Sequence, residues 1–233
     1  MTIVSIETST SECSVSLSRD GVELAARHAS EANHAATLPT MIEAVREQAD
    51  KQGLEIDAIA LSEGPGSYTG LRIGAAMAKG LCYGWNIPLI PISTLHAMAY
   101  TASATIEQTE IGKNTPYLLC PMIDARRMEV YCAIYDHTLH EVIAPKAEVV
   151  DEHSFHELLN EHIVYFFGNG ADKCQTMLRH PNARFIDHIV PNATAIAVLA
   201  QDAKQLTVKE AAYFNPFYLK DYIPAPSHVK GLE

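Results

Sequence analysis

The run Ser62-Glu63-Gly64-Pro65-Gly66-Ser67-Tyr68-Thr69-Gly70-Leu71-Arg72-Ile73-Gly74 follows a short apolar, strand-like segment at 58–62 and opens directly into sequence of helical period. A glycine-rich turn from strand to helix belongs to α/β folds. Its glycines permit tight turning and close backbone approach, and the free N–H groups and positive dipole end of the helix attract an anion. Gly64, Gly66, Ser67, Tyr68, Thr69, Gly70 and Arg72 are therefore a candidate phosphate or nucleotide loop. The Walker order needs lysine directly after its second glycine, whereas Gly70 is followed by Leu71 and Arg72, so an ordinary nucleoside triphosphatase is excluded. A purely structural use of the same glycines stays open.

With 233 residues the chain has room for one large α/β domain or two lobes of about 100 residues. Apolar residues at 48% and charged residues at 19% fit a soluble globular fold. No apolar run reaches the roughly 18–20 residues of a membrane helix, and Met1-Thr2-Ile3-Val4-Ser5 enters strand-like sequence without a basic leader, so a cytoplasmic location is expected. Cys13, Cys82, Cys120, Cys132 and Cys174 are odd in number, widely spaced and set in apolar stretches, which reads as reduced core thiols. A net charge of −11 opposes a polyanion, so any nucleic acid is expected to be held by another chain.

Strands are expected at 3–8, 13–19 and 22–28, the last two joined by the Asp20-Gly21 hairpin signal. Leu38, Met41, Ile42 and Val45 recur at helical spacing through 38–51, with Thr37 as a cap and Pro39 in the first turn. A helix from about 71 to 83 and a strand at 87–92 complete a first lobe, residues 1–100. Strand-like runs at 117–123, 128–135 and 140–149, helical sequence at 152–162, a strand at 163–167 and helical sequence near 171–179 and 194–206 repeat that order in a second lobe, residues 101–233. Residues 101–115 read as the connection and the tail after 213 as irregular. Two βββαβα lobes are the plan of the actin, hexokinase and sugar kinase superfamily, in which ligand sits between lobes.

Three motifs coincide: Ile6-Glu7-Thr8-Ser9 after the first strand, the loop Gly64-Pro65-Gly66-Ser67-Tyr68-Thr69-Gly70, and Ile123-Asp124-Ala125-Arg126-Arg127 opening the second lobe. Gly168-Asn169-Gly170-Ala171 and Tyr218-Leu219-Lys220-Asp221-Tyr222 add weaker agreement. Together they resemble the TsaB (YeaZ) family over essentially the whole chain. The resemblance implies a non-catalytic partner of the larger paralogue TsaD, working with the ATPase TsaE to place a threonylcarbamoyl group on the adenosine beside the tRNA anticodon. It implies no cofactor in this chain, with nucleotide at most at the joint interface, contact with tRNA only through the complex, and self-association as a homodimer when alone.

The catalytic paralogue is characterised by two histidines one helical turn apart, which places two imidazoles on one face. Here His34 is followed four positions later by Leu38, and His137, His140, His153, His156 and His162 show no matching spacing, so no metal site is expected. A sugar-kinase-like phosphotransferase would want aspartate at the first strand end and a second aspartate followed by glycine. Glu7 and Asp124-Ala125-Arg126 stand there instead, with Glu7 read as a turn-capping carboxylate and Asp124 as paired to its neighbouring arginines. A peptidase reading has only Ser67, without a Gly-x-Ser-x-Gly elbow. No catalytic residue is assigned.

Function must then lie in a surface. Gly70, Gly74, Ala78 and Cys82 repeat every four residues, a small-residue stripe that allows close helix approach. Packing of that stripe on the chain's own sheet is the competing reading. Leu38, Met41, Ile42 and Val45 are the matching candidates on the preceding helix. The resemblance implies that these two helices meet the equivalent pair of the partner as four helices, and leucine at Gly74 is expected to block docking without harming the lobe.

Overall fold

The structure is a computed structural model that describes residues 1–30, 33–108 and 116–220. Strands β1 (Thr2–Glu7), β2 (Cys13–Arg19) and β3 (Val22–Ala29) form an antiparallel meander. Its second turn is the expected two-residue hairpin, since Arg19 pairs with Val22 and Asp20 and Gly21 both adopt positive φ, 51° and 79°, as the twist of the flanking strands demands. Helix α1 (His34–Lys51) leads to β4 (Ala58–Gly64), parallel to β1, and α2 (Tyr68–Trp85) leads to β5 (Leu89–Ser93), parallel to β4. Helix α3 (Thr94–Glu107) follows without a break.

The second lobe repeats the order with β6 (Tyr117–Asp124), β7 (Glu129–Asp136), β8 (Glu141–Val149), α4 (His156–Glu161), β9 (Ile163–Phe167) and β10 (Ala183–Ile186). The two sheets, β3-β2-β1-β4-β5 and β8-β7-β6-β9-β10, have the same strand order, so the duplicated actin/hexokinase-like plan stands. Helices α5 (Ala193–Leu199) and α6 (Val208–Tyr213) complete the described chain.

Several expected boundaries move. Helix α1 starts at His34, capped by the backbone of Asn33, because Thr37 already has helical partners, and Pro39 lies in its second turn at an exposed position. Helix α2 starts at Tyr68 because the Ser67 hydroxyl accepts the Gly70 N–H at 3.3 Å. Residues 101–107 of the expected connection belong to helix α3, whose Leu95, Met98, Ala99, Ala102 and Ile106 are buried along one side while Ala104, Thr105 and Glu107 are exposed. Residues 109–115 of that connection and residues 221–233 of the tail lie outside the described residues. The expected helix at 171–179 contracts to one 3-10 turn at Asp172–Cys174, and that at 194–206 ends at Leu199, since Leu206 pairs with Leu89 as an isolated bridge. Strand β10 and helix α6 had no counterpart in the sequence reading.

Helices α1 and α2 cover one face of the first sheet, where Leu38, Val45, Ala78 and Cys82 pack with Val4, Ile6 and Leu61, and α6 packs beside α2. The last helix of each lobe packs on the other lobe. Helix α3 lies on β6, with Leu95 and Met98 against Tyr117, Leu119 and Tyr135. Helix α5 lies on β1, β2 and β4, with Ile196 and Ala200 against Ile3, Ala58 and Ala60. The buried hydroxyls of Ser14 and Ser16 bond the N–H and carbonyl of Ala193, at 2.9 and 3.0 Å, which fixes the start of α5 on the first sheet. The division at 100/101 therefore does not follow packing for residues 193–200.

Candidate functional site

The glycine loop is seated on the end of β1. The Ser67 N–H donates to the Ser9 carbonyl at 2.6 Å. A Cβ at Gly66 would collide with Ser9, one at Gly70 with the Thr8 carbonyl, and one at Gly74 with the Thr8 hydroxyl, 3.2 Å from Leu61 Cδ1. The close approach that these glycines allow is thus taken up by the chain's own backbone. Gly64, at φ +115°, turns β4 into the loop. Ser67 serves as the cap of α2.

Around Thr8 lies a buried polar cluster. Glu7 is 1% exposed; Oε1 accepts the Ser9 N–H, and burial raises its carboxyl above the ordinary range despite the opposing Ser9, Ser62 and His34 groups. The ring of His34 is buried, with Nε2 2.9 Å from the Thr10 carbonyl, and Leu38 one turn on is wholly buried in the core. Glu7 bonds the turn that follows β1, as expected for a capping carboxylate.

In the second lobe Asp124 Oδ1 accepts the Arg126 N–H at 3.0 Å, and Asn169 Oδ1 accepts the Asp124 N–H at 2.9 Å. The side-chain partner of Asp124 is Lys173, which also reaches the Glu129 carbonyl at 2.7 Å, so the expected pairing with the arginine side chains is corrected. Arg126 and Arg127 both adopt positive φ, 73° and 48°, and are exposed. The five thiols are free and buried, and burial pushes Cys82 to about 12 and Cys174 to about 11, which favours the protonated form of those two. Among the described residues, no group of three or more His, Cys, Asp or Glu is placed to hold a metal ion.

The expected docking residues are brought together, but inside the lobe. Leu38, Met41, Ile42 and Val45 are 0–6% exposed, and Gly70, Gly74, Ala78 and Cys82 are buried against β1 and β4. Thr8 and Leu61 occupy the groove that the stripe offers, which leaves these eight side chains no free face. Leucine at Gly74 would strike Thr8, so the expectation of a harmless probe there is overturned.

What α2 leaves uncovered is its opposite side: Thr69, Arg72, Ala76, Gly80, Tyr83 and Gly84 are exposed, with Ile73 and Met77 half-buried along the flank. Tyr83 is 82% exposed, and a Cβ at Gly80 or Gly84 would meet nothing within 4 Å. Near the start of this face, Tyr68, Thr69, Arg72, Ile73 and Ala76 line an open groove of about 440 Å³. Arg72 donates to the Tyr68 hydroxyl at 2.8 Å and lies 5.5 Å from its ring centre. The signal for this face was present in the sequence: Ala76, Gly80 and Gly84 form a second small-residue stripe, two residues out of phase with the first. Spacing alone does not tell which stripe meets the sheet.

No helix among the described residues is long and apolar enough to cross a membrane. The family model described as TsaD: tRNA N6-adenosine threonylcarbamoyltransferase matches residues 25–223. A Haemophilus influenzae relative, "tRNA threonylcarbamoyladenosine biosynthesis protein TsaB", is 28% identical over 237 residues, covering 96% of this chain and 95% of its own. The Escherichia coli protein of the same name is 36% identical over 135 residues, 58% of this chain and 55% of its own. A crystal structure of a Pseudomonas aeruginosa protein described as uncharacterized, with similarity to peptidase YeaZ, superposes with a TM-score of 0.72 at 25% identity, covering 94% of this chain and 99% of that one. A second structure, YeaZ from Pseudomonas aeruginosa, shares the fold with a TM-score of 0.67 at 24% identity. With the motifs, the duplicated lobes and the full-length relative in agreement, the chain belongs to the TsaD family and, within it, to the TsaB (YeaZ) group.

Proposed function

We propose that this chain is the non-catalytic, activating partner of a TsaD-type catalytic subunit in tRNA threonylcarbamoyladenosine synthesis, acting in the cytoplasm with a TsaE-type ATPase. The observation that carries this reading is the uncovered side of α2, where Ala76, Gly80 and Gly84 lie in a row beside Ile73 and Tyr83 and a neighbouring helix can approach to near the minimum axial distance. The occupant is the equivalent helix pair of a chain with the same lobe, since the TsaD model itself matches most of this sequence. The docking helices are those named from the sequence, but the docking residues are on their outer faces. In the absence of the catalytic subunit, the same face pairs with a second copy.

The cleft supports a role without chemistry of its own. The imidazole pair of the catalytic paralogue is reduced to His34, whose ring nitrogen is engaged by the Thr10 carbonyl, and Leu38 lies in the core. The glycine loop is filled by Thr8 and Ser9, and Ser67 is a helix cap, which leaves neither a phosphate cradle nor an activated serine. Activation then follows from binding: a partner that docks more tightly when its own cleft is ordered has its equilibrium drawn to that state. Nucleotide, if shared, meets this chain at the groove beside Tyr68 and Arg72. Transfer RNA is held by the complex, as the charge of −11 demands.

Light scattering on a sizing column tests the assignment. The chain alone is expected to self-associate and to give way to a one-to-one heterodimer with the TsaD-type subunit, and Gly80→Leu is expected to abolish both species while keeping a native circular dichroism spectrum. Independent elution of the two native chains, with and without nucleotide, overturns it.

A further inference from the structure

Beyond α6 the chain recrosses the molecule. The Phe217 N–H donates to the Glu63 carbonyl at 2.7 Å, and its own carbonyl lies against Gly64, 2.5 Å from where a Cβ would sit. The Tyr218 ring rests on Tyr68, with centres 5.0 Å apart. Two residues later, Lys220 Nζ reaches Glu129 Oε2 at 2.5 Å, at the start of β7 in the other lobe. The backbone carbonyl of the same Glu129 receives Lys173, the partner of Asp124. Within four residues the tail touches the end of β4 in the first lobe and the start of β7 in the second.

We propose that residues 214–220 are a releasable strap, which ties the end of β4 and the glycine loop of one lobe to the start of β7 in the other. The attachment is slight for so long a reach. Beyond Phe214, which packs on the core of the first lobe, its described contacts include a backbone hydrogen bond, a ring contact and an ion pair whose side chains are 48% and 19% exposed. Phe217 and Tyr218 remain 41% and 37% exposed, so little apolar area holds them down. Segments with few buried contacts open at free energies well below that of global unfolding. Release frees the Glu63 carbonyl and Gly64 on one side and the Glu129 carboxylate on the other.

Hydrogen exchange by mass spectrometry on the full chain tests this, because the effect of a strap appears at its far end. The reporters are the Ser67 and Gly70 N–H groups in the loop and the Ala125 and Glu129 N–H groups, which bond Glu129 and Arg126 within the turn. Phe217→Pro removes the N–H that holds the loop and is expected to raise exchange of the 124–129 turn at least fivefold. Lys220→Glu is expected to do the same for 63–70, and Lys220→Glu with Glu129→Lys to restore native rates. If each variant changes only the segment it touches, or if the charge-swapped pair fails to restore protection, the tail is local packing and the strap is overturned.

Discussion

At Gly74 a methyl group would collide with the Thr8 hydroxyl and press on Leu61, whereas at Gly80, six residues along the same helix, it would meet nothing within 4 Å. Gly74→Ala is therefore expected to destabilise the fold by roughly 1–3 kcal/mol through overpacking. Gly80→Ala is expected to stabilise it by about 0.5–1 kcal/mol through helix propensity. Urea midpoints of the two variants check the pair, and equal midpoints would contradict the assigned faces. Glu7 makes a second prediction. Burial raises its folded-state pKa above the unfolded value, against the Ser9 N–H bond and the neighbouring polar groups of Ser62 and His34. Protonation thus favours the folded state, and this contribution is complete below the unfolded pKa and is lost as pH rises through the folded one. Glu7→Gln keeps an acceptor for the Ser9 N–H without the charge. Its midpoint relative to the native chain is expected to rise as pH increases above the ordinary carboxylate range, and a pH-independent difference would refute the linkage.

Among the elements, the six-residue helix α6 is too short to persist by propensity. It is held by a capping box, in which the Thr207 hydroxyl accepts the Glu210 N–H at 3.3 Å and the Glu210 carboxylate receives the Thr207 N–H at 2.8 Å, and by packing on α2. Thr207→Ala is expected to cost about 1 kcal/mol, measured as a lower urea midpoint. It should leave the α2 docking face unchanged, so a loss of heterodimer in this variant would place α6 in the interface. Helices α1 and α2 were legible because each has a buried and an exposed side. Helix α3 was not, since it follows β5 without a loop and its small Ala, Ser and Thr residues blur the contrast between its buried side at Leu95, Met98, Ala102 and Ile106 and its exposed side. Strand β10, four half-buried or exposed residues at a sheet edge, carried no alternation to read.

For the whole molecule, the exchange of α3 and α5 between lobes binds their stabilities together. Ile3, Ala58, Ala60, Ile90 and Ile92 on the first sheet are covered by Ala195, Ile196 and Ala200, which lie between about 100 and 200 residues further along the chain. The intact protein is expected to unfold in a single calorimetric transition. A chain ended at residue 100 loses α5 and bares that face, and is expected to aggregate or bind a hydrophobic dye strongly. A monomeric, cooperatively folding 1–100 fragment would show that the exchange is dispensable.

The order of elements from β1 to β5 and from β6 to β9, α3 apart, the Asp20-Gly21 hairpin, the glycine turn and the absence of the second helical histidine at Leu38 are properties of local sequence, and the amino acids alone determined them. Which of two small-residue stripes on α2 meets the sheet was decided only in three dimensions, by Thr8 and Leu61 filling the groove over Gly74. The same holds for the pairing of Asp124 with Lys173, 49 residues away, and for the return of Phe217 to Gly64. Spacing along a chain fixes which residues share a face, but the element that covers that face comes from distant sequence, and its side chains settle what is core and what is left for a partner.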